Sequence, residues 1–78
     1  MGDYHPDLQV DARGLNCPMP IVRTAQAMKA LNPGDIVEVT ATDPGSVRDF
    51  AAWSRTTGHA LLDSSTDGGL FRFVLRHK

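Results

Sequence analysis

Cys17 is the only cysteine in the 78 residues. It stands in the run Leu15-Asn16-Cys17-Pro18-Met19-Pro20, directly ahead of a stretch with helical periodicity. A thiol at the mouth of a helix is one of the few settings in which a lone cysteine gains reactivity without other catalytic groups. With Cys17 as cap, Pro18 takes the first helical position and Pro20 the third, so two of the N–H groups that stabilise a thiolate are missing. Met19 is left as the close donor, with Ile21 a turn further on. The spacing therefore predicts a thiol whose pKa is lowered modestly, chiefly by the helix dipole. Such a thiol suits a group that is first accepted and then given away, because a strongly depressed thiolate leaves well but attacks poorly.

Nothing else in the sequence makes this thiol a self-sufficient catalyst. His5, His59 and His77 are scattered, and none is directed towards Cys17 as a general base. With no second cysteine, an internal thiol–disulfide cycle is impossible. No pair of histidines, or of histidine and cysteine, has ligand spacing, so neither a metal nor a cofactor is expected. A lone cysteine is often a small buried hydrophobe, but its place between Asn16 and Pro18 argues for contact with solvent. Arg13 and Arg23 lie within a short loop or about one helical turn of Cys17. Together with Arg48 and Arg55 they form a candidate basic patch for an anionic sulfur or an acidic partner, Arg55 fitting a solvated face equally well. Leu15 and Met19 add apolar surface of the kind that docks a protein. The candidate site is thus Cys17 as the reacting group, with Arg13, Leu15, Pro18, Met19, Pro20, Arg23, Asp43 and Arg48 as partner-binding residues. Trp53 fits either a partner-facing position or the rim of the core.

The elements that must hold this corner follow from periodicity. Residues 1–7 read as a flexible leader and residues 8–78 as a single domain. Leu8 to Ala12 alternates as a strand with Leu8, Val10 and Ala12 inward. From Pro18, the residues Ile21, Thr24, Ala25, Met28 and Leu31 make one helical stripe, ended by Asn32-Pro33-Gly34. Ile36 to Ala41 is a β-branched strand with Val37, Val39 and Ala41 inward. Asp43-Pro44 opens a second helix, with Ser46 as a competing cap, and Val47, Phe50, Ala51 and Ser54 share its face. Thr57-Gly58 stops it. Ala60 to Ser65 and Leu70 to Arg76 form a hairpin across Thr66-Asp67-Gly68-Gly69. The order strand, helix, strand, helix, strand, strand predicts an α+β two-layer sandwich, βαβαββ, with a four-stranded mixed sheet and both helices on one face.

The totals limit the surroundings. A formal net charge of -1 with no run of like charges advertises neither a nucleic-acid surface nor an acidic membrane. No secretory signal and no apolar run of membrane-spanning length is present. One unpaired cysteine fits a reducing compartment, so a cytoplasmic location is expected. A monomer is the expected state, although an exposed thiol also forms intermolecular disulfides in air.

In this strand-turn-helix context, the run from Asp11-Ala12-Arg13-Gly14-Leu15-Asn16 through Cys17-Pro18-Met19-Pro20 resembles the TusA/SirA-like sulfur-carrier family. The likeness continues through Asn32-Pro33-Gly34-Asp35, Asp43-Pro44, Arg48-Asp49 and the closing Gly-Gly hairpin with Phe71-Arg72-Phe73. The resemblance implies a sandwich like that of the C-terminal domain of a bacterial translation initiation factor. It implies that Cys17 carries sulfur as a persulfide or thiosulfonate, taken from a cysteine desulfurase or a rhodanese and passed to an acceptor such as a DsrE/TusD-like protein. The implied settings are tRNA thiolation, molybdenum cofactor supply and sulfur oxidation. Many relatives have a second cysteine about where Ser54 stands here, so roles that need two thiols on one chain are not implied. The competing reading is a regulatory protein-binding module in which the thiol is incidental. RNA binding by analogy of fold alone is disfavoured by the charge.

Overall fold

The computed structural model describes residues 5–78. Its elements are β1 (Leu8–Ala12), α1 (Met19–Met28), β2 (Ile36–Ala41), α2 (Gly45–Thr57), β3 (Ala60–Asp67) and β4 (Leu70–Arg76). The sheet order is β1-β2-β4-β3, with β1 parallel to β2 and the remaining neighbours antiparallel. This is the α+β two-layer sandwich that the pattern predicts. The hairpin returns the chain so that β4, not β3, lies beside β2 in the middle of the sheet.

The two central strands supply the core. Val37, Val39 and Ala41 of β2 and Phe73 and Leu75 of β4 are fully buried, and Phe50 of α2 stacks on Phe73 with ring centroids 4.5 Å apart. Met28 of α1 and Ala12 of β1 complete the cluster. Burying side chains of this size contributes about 1.5–3 kcal/mol each, which fastens both helices to one face of the sheet.

The helix starts differ from the sequence reading. Pro18 has φ -99° and ψ 17°, outside the helical region, so α1 begins at Met19 and Pro18 occupies the cap position. Its buried face is Pro20, Thr24 and Met28, and the Thr24 hydroxyl donates to the Pro20 carbonyl at 2.8 Å. By its backbone bounds α2 has Pro44 at the cap, itself helical at φ -58° and ψ -27°. The Asp43 carboxylate just ahead of it accepts the Gly45 N–H at 3.3 Å, whereas Ser46 is buried inside the helix. Trp53 packs edge-on against Phe50, with centroids 6.3 Å apart. That turns the inner face of α2 towards Ser46, Phe50 and Trp53, and leaves Val47 41% exposed at its border rather than inside. Gly58, in the left-handed conformation at φ 86°, ends α2 through an N–H bond to the Ser54 carbonyl.

The hairpin turn is shorter than expected. Asp67 pairs with Leu70 inside the ladder, and Gly68-Gly69 alone turns the chain at φ 56° and 83°. Two successive positive φ values make this a primed turn, which glycine adopts without steric cost. A bulge at Leu62 leaves Leu61 opposite Leu75 and Asp63 opposite Val74, which turns Asp63 to the open face of the sheet. At the other end, Asp7 clamps β2: its N–H donates to the Ile36 carbonyl at 2.7 Å and its carboxylate accepts the Ile36 N–H at 2.8 Å. Of the leader expected over residues 1–7, the first four lie outside the described residues. Among the described residues, no helix is long and apolar enough to cross a membrane.

Candidate functional site

Cys17 is exposed and lies one residue ahead of the α1 cap. The close donor that the sequence offers it is already engaged, since the Met19 N–H bonds the Asn16 carbonyl at 2.8 Å. Two carboxylates hold the cysteine instead. Its backbone N–H donates to Asp43 Oδ2 at 2.9 Å, and its thiol donates to Asp49 Oδ2 at 2.7 Å. Asp43 spans the α1 and α2 mouths, because its other oxygen accepts the Gly45 N–H at 3.3 Å.

This geometry reverses the expected acidity. The Asp49 carboxylate accepts a hydrogen bond from the protonated thiol and so holds the Cys17 pKa above the ordinary thiol value; partial desolvation and the charges of Asp49 and then Asp43 add to the shift. The expectation of a lowered pKa fails for two reasons. Cys17 is not the cap residue, and among the described residues no helix N–H donates to its sulfur. A hydrogen bond to an anion then outweighs the dipole.

Beside the sulfur runs a groove of about 300 Å³ between the two helices, lined by Cys17, Pro18 and Ile21 on one side and Asp49, Ala52, Trp53 and Thr56 on the other. Its walls are largely apolar. Trp53 packs on Phe50 at the rim of the core and also lines the groove. A second concavity, on the open sheet face by Gln9, Asp11, Arg13 and Glu38, has its charges already paired, Asp11 with Arg13 and Glu38 with Arg72.

The other candidate residues divide. Pro18 and Asp43 meet at the sulfur corner, and Met19 is exposed next to it. Leu15 packs partly against the core as a plug. Pro20 is fully buried under α1, so it serves packing rather than partner contact. The basic patch does not assemble at the sulfur. Arg13 binds Asp11 through its N–H and two side-chain nitrogens, and Arg23 also acts on Asp11. Arg48 is exposed and, among the described residues, pairs with no carboxylate. The residue at the thiol that the sequence does not place in the candidate site is Asp49. Asp49, Ala52, Trp53 and Thr56 do fall at i, i+3, i+4 and i+7 on one helix face, but nothing in that spacing says that the face meets Cys17.

The fold falls in a known structural class of small sandwiches. A crystal structure of a SirA-like protein from Desulfitobacterium hafniense superimposes with a TM-score of 0.78 over 88% of this chain and 95% of that one, at 22% identity. Sequence likeness is stronger and adds the family. The profile of the family described as Sulfurtransferase TusA matches residues 8–77. The sulfur carrier protein TusA of Allochromatium vinosum is 45% identical over 76 residues, covering 97% of both chains. A putative sulfur carrier protein of Bacillus subtilis is 51% identical over 70 residues, covering 90% of this chain and 93% of its own. The chain belongs to the TusA family.

Proposed function

We propose that this protein is a cytoplasmic sulfur carrier that takes sulfur onto Cys17 from one protein and gives it to another. The observation that supports this best is the exposed Cys17 thiol at the edge of an apolar groove, in a chain that matches sulfur carriers over nearly its whole length. In loading, Sγ bonds the outer sulfur of a donor persulfide and the donor's S–S bond breaks. The proton of the Cys17 thiol ends on the donor's departing thiolate. The step is an exchange of thiol and persulfide, so no oxidant or cofactor is consumed. Unloading is the same exchange in reverse with an acceptor thiol. Suitable donors are a cysteine desulfurase or a rhodanese, and suitable acceptors are DsrE/TusD-like proteins, in sulfur oxidation or tRNA thiolation. The groove gives such partners an apolar foothold beside the thiol, with Met19 and Val22 exposed on the same helix.

Intact-protein mass after incubation with a desulfurase and cysteine, or with a rhodanese and thiosulfate, tests the reading. The expected result is a gain of one sulfur on the wild type and none on Cys17→Ser. Equal behaviour of the two proteins overturns it. A heavier thiosulfonate adduct assigns the carrier to sulfur oxidation.

A further inference from the structure

The thiol of Cys17 reaches Asp49 Oδ2 at 2.7 Å, and this bond exists only while Sγ has a proton to donate. A loaded Cys17 has none, since its Sγ is bonded to carbon on one side and to the outer sulfur on the other. The outer S–H of a persulfide is more acidic than a thiol, so at neutral pH the cargo is an anion. It then stands beside Asp49, from α2, and Asp43, from the loop between β2 and α2, which are the two charges that act on the sulfur. Among the described residues, neither carboxylate belongs to an ion pair. One side chain therefore acts in opposite senses on the two states: Asp49 stabilises empty Cys17 by accepting a hydrogen bond from its thiol, and it repels loaded Cys17 by charge.

We propose that Asp49 is a positioning residue that biases Cys17 towards the sulfur-free state, so that bound sulfur is held loosely and passes readily to an acceptor. This rests on the carrier reading above. The exchange it biases is balanced: Cys17–S–S⁻ plus an acceptor thiol gives Cys17–SH plus the acceptor's persulfide anion. The acceptor sulfur bonds the outer sulfur, the S–S bond to Sγ breaks, and the acceptor's proton passes to Sγ, where Asp49 receives it as a hydrogen bond.

The test equilibrates wild type, Asp49→Asn, Asp49→Ser and Asp49→Glu without oxygen at one fixed ratio of glutathione persulfide to glutathione, and reads the loaded fraction by intact mass. Removing the charge is expected to raise the loaded-to-empty ratio about tenfold, somewhat less at high salt, because the charge-assisted bond sits near solvent. Asp49→Glu is expected to lie near the wild type. The pH midpoint of Cys17 alkylation is expected to fall in Asp49→Asn and Asp49→Ser, a readout that a merely structural role leaves alone. If all four proteins load to the same ratio, the bias is overturned and the carrier reading stands. If the wild type gains no sulfur although Cys17 alkylates, the carrier reading fails, and the bias fails with it.

Discussion

The two faces of the sheet use carboxylates in opposite ways. On the open face, Glu38, Asp63 and Asp11 are each held by an arginine. Glu38 Oε2 accepts from Arg72 Nε at 2.6 Å, Glu38 Oε1 accepts from Gln9 at 3.0 Å, and Arg72 also reaches Asp63 at 3.6 Å. Asp11 is held by Arg13 at 2.9 Å. On the helical side, Asp43 and Asp49 face a backbone amide and a thiol, and no arginine stands between them and the sulfur. Paired carboxylates fix structure, whereas carboxylates set against a thiol make its energy depend on whether the sulfur has a proton. The contrast locates the chemistry of the molecule better than exposure does, because Asp11 and Cys17 are both at the surface.

Breaking the paired side has the larger effect on stability. Arg72 joins carboxylates on both neighbouring strands at diagonal positions, next to Val74, which is fully buried between its register partners Glu38 and Asp63. The Glu38 side chain is only 16% exposed. Arg72→Met strands that carboxylate without a cation, and urea denaturation is expected to show a loss of about 1–2 kcal/mol, below the 3–5 of a fully buried pair because the arginine is half in solvent. Arg72→Met with Glu38→Leu is expected to recover most of that loss, since both charges leave together. An unchanged single variant removes the distinction between the two faces.

On the thiol side, Asp43 is the carboxylate with a structural share. It accepts the Cys17 N–H and the Gly45 N–H, so it ties the mouth of α1 to that of α2. Asp43→Ala is expected to lower stability by about 1 kcal/mol, the usual consequence of losing acceptors at a helix start. It is also expected to speed hydrogen exchange at Cys17 and Gly45 while the amides of β2 and β4 stay protected. Asp49→Asn, which keeps a hydrogen-bond acceptor near the thiol, is expected to shift the urea midpoint less than Asp43→Ala does. The reverse order assigns Asp49 to structure.

The difference between the faces explains what the sequence could disclose. Alternation in Val37, Val39 and Ala41 and in Phe71, Phe73 and Leu75 specifies strands, because period two has one physical meaning once a face is buried. Six elements in the right order follow from such local signals. The position of Cys17 at a helix mouth is also local, since it depends only on Pro18 and Pro20. The pairing of Cys17 with Asp49 is not, as 32 residues separate the two and only the packing of α1 against α2 joins them. The same holds for the arginines. Arg13 is near Cys17 along the chain, yet Asp11 is two residues away on the same strand end and claims it first. The α1 start moved by one residue because a cap is set by a backbone angle at Pro18, and composition does not fix that angle. That step took Cys17 out of the cap position, and the hydrogen bond to Asp49 then sets the sign of its pKa shift.

The smallest effects lie at the pH extremes, where the two faces titrate in opposite directions. Arg13 holds the Asp11 carboxyl at about 2, against 3.8 without partners. A folded value below the unfolded one gives stability that is present above pH 3.8 and lost as pH falls towards 2. Cys17 is the opposite case: its folded pKa lies above the unfolded value, so its contribution is intact below the unfolded thiol pKa and fades as pH rises through the folded one. Both groups are exposed, so solvent screens them and neither limb is steep. Arg13→Ala is expected to move the Asp11 midpoint, followed by carboxyl carbon NMR, up towards 3.8 and to flatten the acid limb. It is also expected to lower the neutral-pH urea midpoint slightly, by the screened contribution that the pair gives above pH 3.8. Asp49→Asn is expected to flatten the alkaline limb alone. If Asp49→Asn instead alters the acid limb and Arg13→Ala the alkaline one, the charges of the two faces communicate through the sheet and the division between them fails.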